Sequence, residues 1–168
     1  MGDWAEKYPE SVKALHDAGH EVMSHSNHHD HYNSLSTQQI IDDVTASNER
    51  ISAVTGVTPT LIRCPYGEYD DHVIAAIRSM GMEPIQWDVD SLDWKNYGVQ
   101  NIIDTVCNHK SLDCGSIILC HLGAKYTSQA LDEMLTKLQG MGYEIVPVSK
   151  LIMTEGYHMD ANGMQIKD

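Results

Sequence analysis

Gly19-His20-Glu21-Val22-Met23-Ser24-His25-Ser26-Asn27-His28-His29-Asp30-His31 is the stretch that decides the fold. The glycine stops a helix, residues 20–24 read as a short strand, and the strand runs straight into a loop crowded with imidazoles. Neutral imidazole is the commonest metal-binding side chain, so that loop is a candidate centre. Upstream, Trp4, Tyr8, Val12 and Leu15 share one face of a helix expected over 3–18. Downstream the alternation of helix and short apolar run repeats. Ser36-Thr37-Gln38-Gln39 has capping-box form and opens a helix to about residue 54, closed by Gly56. A strand follows over 60–63, then a helix from Asp70 or Asp71 to Met80 that Gly81 ends, and a strand over 84–89. A helix over 99–110, the apolar strand 116–121, a helix over 127–139 and a last strand 143–148 complete the series, and a polar, loose tail is expected after Gly156. Helices alternating with short buried runs are the pattern of an α/β protein with parallel strands.

The chain has 168 residues, the length of one domain, and one hydrophobic core is expected. With 11 Lys and Arg against 24 Asp and Glu, the net charge is −13, which repels a nucleic-acid backbone and an anionic bilayer alike. Nucleic acid is excluded as a partner. No run approaches the roughly 20 apolar residues of a membrane helix, and the first ten residues have no apolar signal-peptide core. The four cysteines show no C-x-x-C spacing, so neither a zinc ribbon nor a disulfide framework is indicated.

In parallel α/β folds, the loops after the carboxyl ends of the strands share one face, where active sites are built. The unusual residues of this chain fall at those ends. The first strand is followed by the imidazole loop, the second by Arg63-Cys64-Pro65-Tyr66-Gly67, the third by Asp90-Ser91-Leu92-Asp93-Trp94 and the fourth by His121-Leu122-Gly123. Singly, each has a plainer reading: a solvated loop, a surface charge, a packed tryptophan, a rim histidine. Recurrence at one topological position makes the functional reading the stronger one.

Taken together, these segments resemble the polysaccharide deacetylases, the NodB-homology domain of carbohydrate esterase family four. His25-Ser26-Asn27-His28-His29 fits that family's H-[ST]-x-x-H motif, Arg63-Cys64-Pro65-Tyr66 its R-x-P-Y motif, Asp90 to Trp94 its D-x-x-D-W motif, and Leu119-Cys120-His121 its L-x-H motif. The resemblance implies an incomplete, distorted (β/α) barrel over 1–156 with a C-terminal tail over 157–168, lacking the first βα unit. It implies a hydrolase that removes N-acetyl groups from an amino-sugar polysaccharide of the peptidoglycan or chitin kind. His25 and His29 would bind a divalent metal, zinc first, with cobalt, nickel or iron as alternatives. His121 would be the general acid, Arg63 would hold the catalytic base, and Asp93, or alternatively Asp90, would orient His121. Tyr66 would offer a backbone N–H to the oxyanion and Trp94 a wall for a sugar ring, with Pro65 and Leu119 completing the substrate-binding set. His28, Asp30 and His31 lie outside the motifs and are expected to face solvent.

The family's T-F-D-D-G-type segment, source of the base and of the aspartate ligand, is not in this sequence, and Asp3 stands too far along to replace it. Impaired catalysis is therefore expected, as is an unpaired sheet edge that favours a homodimer. The alternatives are a catalytically silent module that binds glycan or a partner, and a bare metal-binding or assembly protein. The family likeness also suggests an extracytoplasmic or cell-wall location.

Overall fold

The computed structural model describes residues 1–160 and 162–168. Two compact units divide it, Met1–Gln86 and Trp87–Asp168, in place of the single core expected from length. The reason lies in the side chains: the buried apolar residues gather in separate clusters, two in the first unit and one in the second.

The first unit opens with α1 (Gly2–Lys7) and α2 (Pro9–Asp17), not one helix over 3–18. Pro9 has no N–H to continue the ladder and sits at the first position of α2, so the helix breaks at Tyr8. Gly2 donates its N–H to the Ser26 carbonyl at 3.0 Å. A Cβ there would lie 2.3 Å from Asn27 Oδ1, so glycine is what lets α1 dock on the imidazole loop. α3 (Thr37–Thr55) carries the expected capping box, with Ser36 and Gln39 exchanging both bonds, and Gly56 closes it at φ 74°. Ile40, Val44, Ser47 and Ile51 form its buried stripe.

β1 (Leu61–Ile62) pairs in parallel with β2 (Glu83–Pro84), and α4 (Asp71–Ser79), capped by the Asp70 carboxylate on Val73 N–H, crosses between them. Of the strand expected over 20–24, one parallel bridge remains, Ser24 to Ile62. Tyr32, Ile40, Val44, Ile62, Val73 and Ile77 are essentially inaccessible and form the heart of the unit. Each contributes about 1.5–3 kcal/mol by leaving water.

In the second unit β3 (Val89–Asp90) pairs in parallel with β4 (Ile118–Leu119) through α5 (Val99–Cys107). The run expected as one strand over 84–89 is thus divided, its ends pairing with different partners. α6 (Thr127–Gly140) packs on α5, with Ile102, Ile103, Val106, Ala130, Met134 and Leu138 around Val89. Residues 143–147 form no ladder, and Pro147 introduces the short α7 (Val148–Leu151). The tail is not loose: β5 (Tyr157–Met159) and β6 (Gln165–Lys167) make an antiparallel hairpin, its turn held by Asp160 accepting from Asn162 and Met164 N–H at 2.8 Å each. No helix of the described residues is long and apolar enough to cross a membrane.

Candidate active site

The imidazole loop is built around a carboxylate that the sequence reading passed over. Asp43, on α3, accepts from Asn27 N–H (2.8 Å), His28 N–H (3.2 Å) and the Tyr32 hydroxyl (2.8 Å). It lies three residues after buried Ile40, on the inward side of the helix, and that periodicity was its legible signal. Tyr32 is fully buried, and burial together with the Asp43 bond raises its hydroxyl pKa far above the ordinary range. Anchored this way, the loop bends tightly enough that Ser26 and His29 adopt positive φ, 67° and 64°, and Ser26 Oγ accepts the His29 N–H at 2.8 Å.

His25 and His29 come together as expected, their ring centroids 4.9 Å apart and nearly perpendicular. His25 Nδ1–H donates to the Arg63 carbonyl at 2.7 Å, which fixes the tautomer with the lone pair on Nε2. Burial lowers the His25 imidazole pKa to about 4, helped by the charges of His29 and Arg63 and opposed by the bond to the Arg63 carbonyl. A neutral, oriented imidazole beside a second one suits a divalent metal of the zinc type, so the pair fits the nitrogen part of such a centre. Asp3 Oδ1 is buried without a hydrogen-bond partner, yet no three His, Cys, Asp or Glu side chains gather for a metal among the described residues.

At the end of β1, Arg63 donates its N–H to the Ser24 carbonyl at 3.1 Å, which ties the two loops together. Cys64 and Pro65 are buried, and burial pushes the Cys64 thiol up to about 11. Tyr66 takes φ 58° and stands 55% exposed. His28, Asp30 and His31 are exposed as expected, but His31 is engaged: its ring stacks on Tyr66 and it pairs with Glu68.

The second unit carries the other half of the sequence motifs. Asp93 is completely buried and accepts three bonds of 2.7 Å, from His121 N–H, from the Thr127 hydroxyl and from His121 Nδ1–H. Burial raises its carboxyl pKa, and those three bonds outweigh burial, so the net value is lowered. His121 is thereby oriented with Nε2 directed away from Asp93. Thr127 was read only as a helix start, and nothing in its spacing marks the bond. Asp90 places Oδ1 on the Leu92 N–H of its own turn at 2.8 Å, while both bonds to His121 go to Asp93. Leu119 is 7% exposed and its carbonyl accepts the Ser91 N–H, so it builds the strand and offers little surface. Trp94, His121, Leu122 and Lys125 line a cleft of about 440 Å³, with Trp94 54% exposed.

Comparison with known proteins places this geometry. The family model described as polysaccharide deacetylase matches residues 1–85. The peptidoglycan-N-acetylmuramic acid deacetylase PdaC of Bacillus subtilis is 33% identical over 151 residues, 90% of this chain and 31% of that protein. The peptidoglycan-N-acetylglucosamine deacetylase PgdA of Listeria monocytogenes is 35% identical over the same shares. Among solved structures, a carbohydrate esterase family four pseudoenzyme from Bacillus anthracis aligns with TM-score 0.85 at 30% identity, over 90% of this chain and 53% of the other. The fold class is that of the NodB-type deacetylases, α/β with parallel strand pairs joined by helices. The chain belongs to the polysaccharide deacetylase family. It spans about a third, 31%, of the first two curated relatives.

Proposed function

We propose that the chain acts in the metal-dependent removal of N-acetyl groups from an amino-sugar polysaccharide of the peptidoglycan or chitin kind. The observation that supports this most is the buried Asp93 carboxylate gripping His121 through both backbone and ring at 2.7 Å. Amide hydrolysis expels an amine, which leaves only when protonated. Asp93 holds Nδ1–H, which turns Nε2 outward as the atom that passes a proton to the departing sugar amine. Trp94 gives the cleft beside His121 an apolar wall for a sugar ring, and Tyr66 offers its backbone N–H to the developing oxyanion. His25 and His29 hold the metal, zinc before cobalt, nickel or iron. Bound there, it supplies Lewis-acid stabilisation of the oxyanion and a more acidic water. Arg63 is assigned to holding the carboxylate base. The catalytic domain is assigned to 1–156, with the hairpin over 157–168 appended to it.

With two imidazoles in the proposed metal set and no three-ligand cluster among the described residues, slow turnover is expected of the residues given. Acetate release from N-acetylated chitin oligomers and from peptidoglycan, with excess zinc or cobalt, is the test. Slow release that disappears in His121→Ala and in His25→Ala supports the reading, and release unchanged by His121→Ala overturns the assignment of the acid. A silent glycan-binding module is the second reading, favoured by the lack of a three-ligand cluster among the described residues and by the pseudoenzyme among the structural relatives. Saturable glycan binding with no acetate release selects it. The cell-wall side of the membrane is the location that fits either substrate. Pairing of a second copy along the sheet edge at Ser24 is the expected assembly, read by light scattering at several concentrations.

A further inference from the structure

The geometry points to Glu68 and His31 as positioning residues for the His29 imidazole, acting through the ring of Tyr66. Five side chains from two loops stand in sequence. Glu68 accepts the His31 Nδ1–H with both carboxylate oxygens, at 2.9 and 3.0 Å. His31 lies flat on Tyr66, with centroids 4.0 Å apart and planes 7° apart. Tyr66 then meets His29 at 4.5 Å and 67°, and His29 meets His25 at 4.9 Å and 73°.

His25 and His29 are held by different means. His25 has its ring nitrogen bound to the Arg63 carbonyl, whereas His29 donates its backbone N–H to Ser26 Oγ. The His29 ring takes its orientation from the rings on either side of it. Tyr66 is itself 55% exposed and sits at φ 58°, a conformation that favours glycine, so it needs an outer support. His31 is that support. An exposed imidazole free to rotate could not serve, and the paired bond to Glu68 removes that freedom. None of the family motifs contains Glu68 or His31, and 37 residues separate them in the chain.

The inference rests on the proposed reading of His25 and His29 as the metal pair. Its test is cobalt(II) titration of the full chain by calorimetry, with thermal melting of each variant as a control for folding. His31→Ala and Glu68→Ala are expected to weaken cobalt binding about tenfold, the low end for residues that orient a metal ligand. His31→Phe keeps the stacked ring and discards both nitrogens, and it is expected to bind within about threefold of the unaltered chain. Binding unchanged in both alanine variants overturns the inference and leaves the His25–His29 pair standing. A His31→Phe variant as weak as His31→Ala also overturns it, because His31 would then act through a nitrogen, as a ligand itself. Absence of cobalt binding by the unaltered chain removes the metal reading and this inference together. Should His31→Ala melt early, Glu68→Ala against Glu68→Gln carries the same comparison, with Gln keeping an acceptor and most of the affinity.

Discussion

Replacing Asp93 by Asn changes one atom and disturbs three bonds. The carboxylate is wholly buried, and its two oxygens serve His121 N–H, the Thr127 hydroxyl and His121 Nδ1–H, each at 2.7 Å. The single oxygen of Asn can stay on His121 N–H and Thr127, where loss of charge assistance removes about 1 kcal/mol per bond. Its NH2 then faces Nδ1, which must give up its proton to Nε2 and accept instead. Together these changes amount to about 2–3 kcal/mol, a large share of the roughly 5–15 kcal/mol that holds a domain folded. Urea unfolding at pH 7, followed through tryptophan fluorescence, measures it. Acidification adds a sign. The folded-state pKa of Asp93 is lowered, so its stabilisation is complete above the unfolded value near 4 and is lost as pH falls through the folded value. The gap between the two proteins therefore closes below about pH 4. An Asn variant as stable as the unaltered chain at pH 7, or a gap that widens in acid, refutes this account of the site.

Three further outcomes follow from the first unit. Ser36→Ala removes the acceptor for Gln39 N–H and half of the capping box, which lowers stability by about 1 kcal/mol and the melting temperature by about 2–4 °C. Asp43→Ala leaves Asn27 N–H, His28 N–H and the Tyr32 hydroxyl without their acceptor, which costs about 3 kcal/mol in urea unfolding and weakens zinc binding by the loop it anchors. Cys64, buried and with its thiol pushed up to about 11, stays unmodified by iodoacetamide at pH 8 while exposed Cys114 reacts, as peptide mass spectrometry reads; equal labelling of the two contradicts its burial.

Helix ends were legible in the sequence because their signals are local. Ser36 with Gln39, Gly56, Asp70 and Gly81 stop or start helices within a residue or two of where they were expected. Strand limits were not legible. A parallel strand exists only where its neighbour lies, so the expected strand over 84–89 pairs at its two ends with different partners and residues 85–88 belong to neither ladder. The motif residues of each unit were likewise legible as types, while the partners that fix them were not. The family likeness put Asp93 ahead of Asp90 as the partner of His121 without a contact for either, and the structure gives both His121 bonds to Asp93 while Asp90 takes the Leu92 N–H of its own turn. Thr127 and the Glu68–His31 pair reach across 34 and 37 residues, beyond any local pattern, whereas helical periodicity could place Asp43 on the inward face but not name its partners.

Backbone conformation singles out the same loops by a route that uses no motif. Ser26, His29, Tyr66, Leu92 and Asn96 are the non-glycine residues at positive φ among those described. Ser26 and His29 belong to the imidazole loop, Tyr66 follows Arg63, and Leu92 and Asn96 flank Asp93 and Trp94. Such conformations cost on the order of 1 kcal/mol or more each and persist only where surrounding contacts enforce them. Here the enforcing contacts can be named: Ser26 Oγ on His29 N–H, His31 on the Tyr66 ring, Asp90 Oδ1 on Leu92 N–H, and the Asp93 carbonyl on Asn96 N–H at 3.2 Å. Glycine would adopt each of these angles without strain, but it could not supply the imidazole of His29 or the ring of Tyr66. The chain thus holds side chains at positions where backbone economy favours none, which is how a site under functional constraint differs from an ordinary turn.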